Sequence, residues 1–174
     1  PRSMTRLGVC YETGHGVEQD VQRAEDLYRR AMALGELEGQ YCLAGLLRRR
    51  KDPESHREAA RLLQKPAAVG MPRAQYLLGV CCEFGDGVEQ DVSRALALYR
   101  EAAGAGYPDA QCALGVLHHQ GKGVDQDDRE AVRLFRQAAE GGYPRAWHFL
   151  GLSYDQGTGV EQNAQEAFRC FLAA

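Results

Sequence analysis

Apolar residues recur along this chain with a helical beat set inside a longer period. Ala74, Leu77, Leu78, Cys81 and Cys82 fall at three- and four-residue spacings, which predicts one buried face of an amphipathic helix. Ala95, Leu98, Tyr99 and Ala102 predict a second helix of the same kind. A polar stretch containing Gly85-Asp86-Gly87-Val88 separates the two. The whole arrangement then repeats. Its anchors are Gly8, Ala44, Gly79, Gly115 and Gly151, at steps of 36, 35, 36 and 36 residues. The loop phrase returns in phase as Gly14-His15-Gly16-Val17, Gly121-Lys122-Gly123-Val124 and Gly157-Thr158-Gly159-Val160. So do the small residues of the second helix, Ala24, Ala59, Ala95, Ala131 and Ala167, each followed by Tyr28, Leu63, Tyr99, Phe135 or Phe171. A period of this length marks stacked supersecondary units, each burying its apolar faces only against its neighbours.

Each unit therefore reads as a helix A, a glycine loop and a helix B. Pro72 suits the first turn of helix A, where a missing N–H is harmless. Asp20, Asp91, Asp127 and Asn163 stand where a helix B needs its N-cap, and Glu130 and Glu166 follow three residues on, as in a capping box. About ten helices are expected in one repeat domain over 1–174, with repeats at 1–36, 37–71, 72–107, 108–143 and 144–174, the first and last incomplete. The second repeat departs from the rest. It carries Arg48-Arg49-Arg50-Lys51-Asp52-Pro53 in place of the glycine phrase, and Pro66 late in helix B predicts a kink or break there.

The residues Ala74, Leu78-Gly79, Gly85, Gly87-Val88, Asp91, Ala95, Tyr99, Ala102-Ala103 and Gly106 resemble, with the same spacing, the Sel-one-like repeat family, relatives of the tetratricopeptide repeat. The resemblance extends over essentially the whole chain. It implies an all-α, right-handed superhelical solenoid of about five 36-residue repeats, with helix A lining a concave surface. It also implies a non-enzymatic adaptor or scaffold that holds a partner protein or peptide in that groove.

Composition narrows the field further. The formal charge is −3 with both signs mixed, whereas a nucleic-acid binder is expected to show a basic excess. No apolar run reaches the roughly 18 residues of a membrane span. The six cysteines share no recurring paired position, so they read as small buried hydrophobes in a reducing compartment such as the cytoplasm. No nucleophile motif or phosphate loop is present, and the glycine loops follow helices rather than strands. No enzyme activity, cofactor or metal is therefore expected. The chain opens on Pro-Arg-Ser and stops within a repeat, which suggests a piece of a longer protein whose uncapped ends favour self-association.

If helix A faces a groove, its lining follows from register. Three positions before each anchor stand Thr5, Tyr41, Tyr76, Cys112 and His148. Four positions after it stand Glu12, Arg48, Glu83, His119 and Asp155, with Arg49 and Phe84 one further. These positions vary while the packing positions repeat, as a partner-reading face would. Tyr41, Arg48, Arg49, Tyr76 and Phe84 form the favoured patch, since aromatics and arginine anchor many interfaces. The alternative for Tyr41 and Tyr76 is that they cover the seam between helices for stability. The arginine run reads either as a grip for an acidic segment or as cations favourably placed at a helix end. A small-ligand sensor using Cys112, His119 and His148 is the alternative function.

Overall fold

The computed structural model describes residues 2–174, and the described residues form ten α-helices joined by short loops. They fall into two compact units, the first ending at Asp91 and the second running from Val92 to Ala174. The first unit holds α1 (Arg2–Thr13), α2 (Val21–Ala33), α3 (Leu37–Arg48), α4 (Pro53–Ala68) and α5 (Pro72–Phe84). The second holds α6 (Val92–Gly104), α7 (Pro108–Gln120), α8 (Asp128–Glu140), α9 (Pro144–Gln156) and α10 (Ala164–Ala173). Odd-numbered helices are the A helices of the repeats and even-numbered ones the B helices. Within each unit every helix packs on its neighbours in the chain, and in the first unit α1 also touches α3.

The repeating small residues explain the close pairing of A and B. A side chain built on Gly115 would place its Cβ 2.7 Å from the ring of Phe135, and the same holds for Gly8 against Tyr28 and Gly151 against Phe171. Glycine on helix A thus makes room for an aromatic ring on helix B of the same repeat. The second repeat reaches the same fit by exchange: Ala44 replaces the glycine, Leu63 replaces the ring, and both are fully buried. The second loop glycine has another task. At Gly87 (φ 77°) a Cβ would overlap the backbone carbonyl of His56, and at Gly159 that of Asp128. Each loop therefore rides on the first turn of helix B in the preceding repeat.

Helix B starts as expected at Asp20, Asp127 and Asn163, and in the second repeat it starts at Asp52. Asp20, Asp52, Asp127 and Asn163 accept hydrogen bonds from the backbone N–H groups of Arg23 (2.9 Å), Ser55 (2.8 Å), Glu130 (3.0 Å) and Glu166 (3.1 Å). The expected capping boxes do not close. Glu130 and Glu166 instead accept from Arg133 (2.6 Å) and Arg169 (2.5 Å) one turn on. The reason is that the caps' own N–H groups are already taken. Asp127 donates to the carbonyl of His118 (3.0 Å) and Asn163 to that of Tyr154 (2.9 Å). The expected break at Pro66 is also absent, since α4 runs on to Ala68. Pro66 lies in the last turn, where it removes one hydrogen bond, and its ring is fully buried.

Candidate functional site

In the first unit the accessible side chains of the A helices include Tyr41, Tyr76 and Phe84, with Arg49 just past the end of α3. Phe84 is 66 % exposed, at the end of α5. Tyr41 is half-buried beneath the guanidinium of Arg73, which lies 5.4 Å from its ring centre and is held by Glu38 at 2.8 Å. Tyr76 is also half-buried. Glu83 sits on the same helix but is only 8 % exposed, so its side chain belongs to the packing of the repeat rather than to an open face.

The arginine run has a role that neither sequence reading contained. Arg48 donates to Asp86 in the third-repeat loop (3.2 Å), Arg49 pairs with Glu12 of α1, and Arg50 pairs with Glu25 of α2. Three successive guanidiniums thus tie the second repeat to both of its neighbours. Glu25 is 5 % exposed and also accepts from Arg29 at 2.9 Å. Its counterparts in the other repeats are Ala60, Leu96, Val132 and Phe168. The first repeat therefore buries a carboxylate where the others place an apolar group, and the irregular loop of the second repeat supplies its counter-charge. Glu12 is shared in the same way, accepting from the Tyr28 hydroxyl at 2.5 Å as well as from Arg49.

Next to this network lies a cleft of about 760 Å³ bounded by the α3–α4 loop, the start of α4 and the loop after α5. His56 spans it. Its Nδ1 lies 2.5 Å from the Asp86 carboxylate and its Nε2 2.5 Å from the Arg50 carbonyl. The ring thus bridges the third-repeat loop and the loop that precedes α4. The cap Asp52, bonded to the backbone and side chain of Ser55, is held below the usual carboxylate range. A second cleft of about 840 Å³, among Thr5, Val9, Cys10, Leu37, Cys42 and Met71, lies on the α1–α3 side of the unit.

In the second unit the residues of the ligand-sensor alternative occupy three different environments. Cys112 is 3 % exposed within a core of Ala131, Val132, Phe135 and Leu150, and burial pushes its thiol up to about 12. His119 is exposed and bonds Asp128 at 2.6 Å. His148 is exposed between the rings of Phe149 (6.2 Å) and Phe171 (5.7 Å). Asp155 is exposed at the end of α9. Among the described residues no three His, Cys, Asp or Glu side chains gather as a metal site, and no helix is long and apolar enough to cross a membrane.

Sequence reading missed a recurring glutamine. Gln19, Gln90 and Gln162 each donate a side-chain hydrogen bond to the carbonyl four residues after the anchor, at Glu12 (2.8 Å), Glu83 (2.8 Å) and Asp155 (2.7 Å). They close the C-terminus of helix A. The signal was available, because glutamine stands in phase one residue before the helix-B cap in four repeats.

Comparison with known proteins agrees with this geometry. The sequence profile of the Sel1 repeat matches residues 1–36, 72–107, 108–143 and 144–174, omitting the irregular second repeat. An F-box protein of Arabidopsis thaliana is 35 % identical over 88 residues, covering 50 % of this chain and 23 % of its own length. The chain thus spans about a quarter of that relative. Among solved structures, a Sel1 repeat protein from Oxalobacter formigenes superposes with a TM-score of 0.86 at 27 % identity, over 99 % of this chain and 69 % of that one. A protective antigen of uropathogenic Escherichia coli displaying an SLR fold gives 0.80 at 26 %, over 99 % of this chain and 37 % of its own. Helicobacter pylori cysteine rich protein B gives 0.56 at 27 %, over 76 % and 96 %.

Proposed function

The chain belongs to the Sel1 repeat family, and from that premise we propose that it is a non-enzymatic scaffold whose A helices receive a partner protein or peptide. Sel1-repeat proteins are generally protein-interaction scaffolds, and the fold is typically non-catalytic. The observation that carries the reading to residues is a division of labour along helix A. The anchor-side positions are buried in every repeat, whereas Tyr41, Tyr76 and Phe84 in the first unit and His119, His148 and Asp155 in the second vary in chemistry and remain accessible. Phe84 supports it most, because a phenylalanine left 66 % exposed contributes little to folding and much to an interface. Arg48 and Arg49 act in this reading by fixing the face from which the aromatics project.

The test is affinity capture from source lysate with wild type and a Tyr76→Ala/Phe84→Ser variant, after circular dichroism and melting show that the variant is folded. A defined partner kept by wild type and lost by the variant is the expected result. Capture of the same proteins by both forms would refute the assignment to helix A.

A further inference from the structure

Helix α4 carries a row of cations that form no ion pair among the described residues. Arg57, Arg61 and Lys65 stand at successive four-residue steps, so they line one face of the helix over about 12 Å. All three are exposed, as is Lys51 in the loop just before the helix. By contrast Arg29, Arg48, Arg49, Arg50, Arg73 and Arg133 each hold a carboxylate. Lys51, Arg57, Arg61 and Lys65 pair with none among the described residues. No other repeat places a cation at all three helix positions. Their counterparts are Gln22, Asp26 and Arg30; Ser93, Ala97 and Glu101; Arg129, Arg133 and Gln137; Gln165, Arg169 and Ala173.

Like charges four residues apart disfavour a helix, so the row does not serve the helix as a set of mutual contacts. The row also leads into the 760 Å³ cleft, which Lys51 and Arg57 line. The cleft floor is held by Arg48, His56 and Asp86 through the contacts above. A fixed cleft continued by a line of unpaired cations suits an extended anionic chain of a few residues.

We propose that this face of α4 binds an acidic peptide segment of a partner protein, with Lys51, Arg57, Arg61 and Lys65 meeting its carboxylates. The molecule's charge selects a short peptide over a long polyanion. With a net charge of −3 for the whole chain, a nucleic acid or an anionic membrane extending past the row would meet a protein of its own sign. The site lies on helix B of the second repeat and is independent of the helix-A reading above.

The test uses the 174-residue chain and a short fluorescein-labelled peptide of glutamate and aspartate, followed by fluorescence anisotropy. Binding is expected, weakening as salt is raised. Arg57→Glu/Arg61→Glu is expected to weaken it by about tenfold or more, and the matched reversal Arg100→Glu/Arg129→Glu on other B helices to leave it nearly unchanged. Circular dichroism and melting first establish that the α4 variant is folded. Equal weakening by both reversals, no binding by wild type, or tighter binding to duplex DNA or phosphatidylserine vesicles than to the peptide would overturn the proposal.

Discussion

Arg50 of the second repeat pairs with Glu25 of the first, a carboxylate buried where the other repeats place an apolar side chain. The two departures from the repeat pattern thus compensate each other. Removing one partner strands the other, although Arg50 and Arg29 are each about 40 % exposed, which softens the effect through solvent. In a double-mutant cycle of Glu25→Leu and Arg50→Ala, read by urea unfolding, the two changes together are expected to cost less than the sum of the singles. The expected coupling is about 1–2 kcal/mol. Strict additivity would mean that the pair does not hold the repeats together.

The glycine–aromatic fit predicts a rescue. Gly115→Ala drives a methyl group into the Phe135 ring, and overpacking of this kind is expected to cost about 1–3 kcal/mol. Gly115→Ala/Phe135→Leu reproduces the Ala44 and Leu63 pairing of the second repeat and should recover part of that loss. Thermal melts of the three proteins check the order.

The two loop glycines Gly16 and Gly87 separate conformational strain from contact. Both have positive φ, 76° and 77°, so alanine at either carries the left-handed penalty of about 1–2 kcal/mol. At Gly16 a Cβ meets nothing within 4 Å, whereas at Gly87 it overlaps the His56 backbone. Gly87→Ala is therefore expected to lower the melting temperature clearly more than Gly16→Ala. Equal losses would show that the third-repeat loop does not rest on α4.

Burial pushes the Cys42 and Cys81 thiols up to about 11 and Cys112 to about 12, from an ordinary value near 9. A folded value above the unfolded one stabilises fully below the unfolded value and is lost as pH rises through the folded one. Stability is therefore expected to fall between about pH 9 and 12, and a Cys42→Ala/Cys81→Ala/Cys112→Ala variant should show a shallower fall. At pH near neutral, native labelling with a thiol reagent should reach half-buried Cys10 before buried Cys81, Cys82, Cys112 and Cys170. Early labelling of Cys112 would contradict its place in the core.

Helices, anchors and loop glycines were legible in the sequence because each is local and written several times in phase. The partners of Arg48, Arg49 and Arg50 were not. They lie 25 to 38 residues away in neighbouring repeats, and no spacing rule within one repeat points to them. The capping boxes failed for a related reason. Glu130 matches the local motif, but the N–H it would serve is taken by a carbonyl nine residues back, at His118. Burial drew the remaining line through the candidate residues. Register placed Glu83 and Phe84 together at the end of α5, and packing left one 8 % and the other 66 % exposed.

The central claim, that partners engage the A helices, is tested most directly by site-specific photo-crosslinking. A photoreactive side chain is placed singly at Tyr76, Phe84, His119 or His148, and in controls at the exposed helix-B positions Asp26, Ala97 and Arg129. The account predicts crosslinks to one captured partner from helix-A positions and none from the controls. Crosslinks from the controls alone would contradict it.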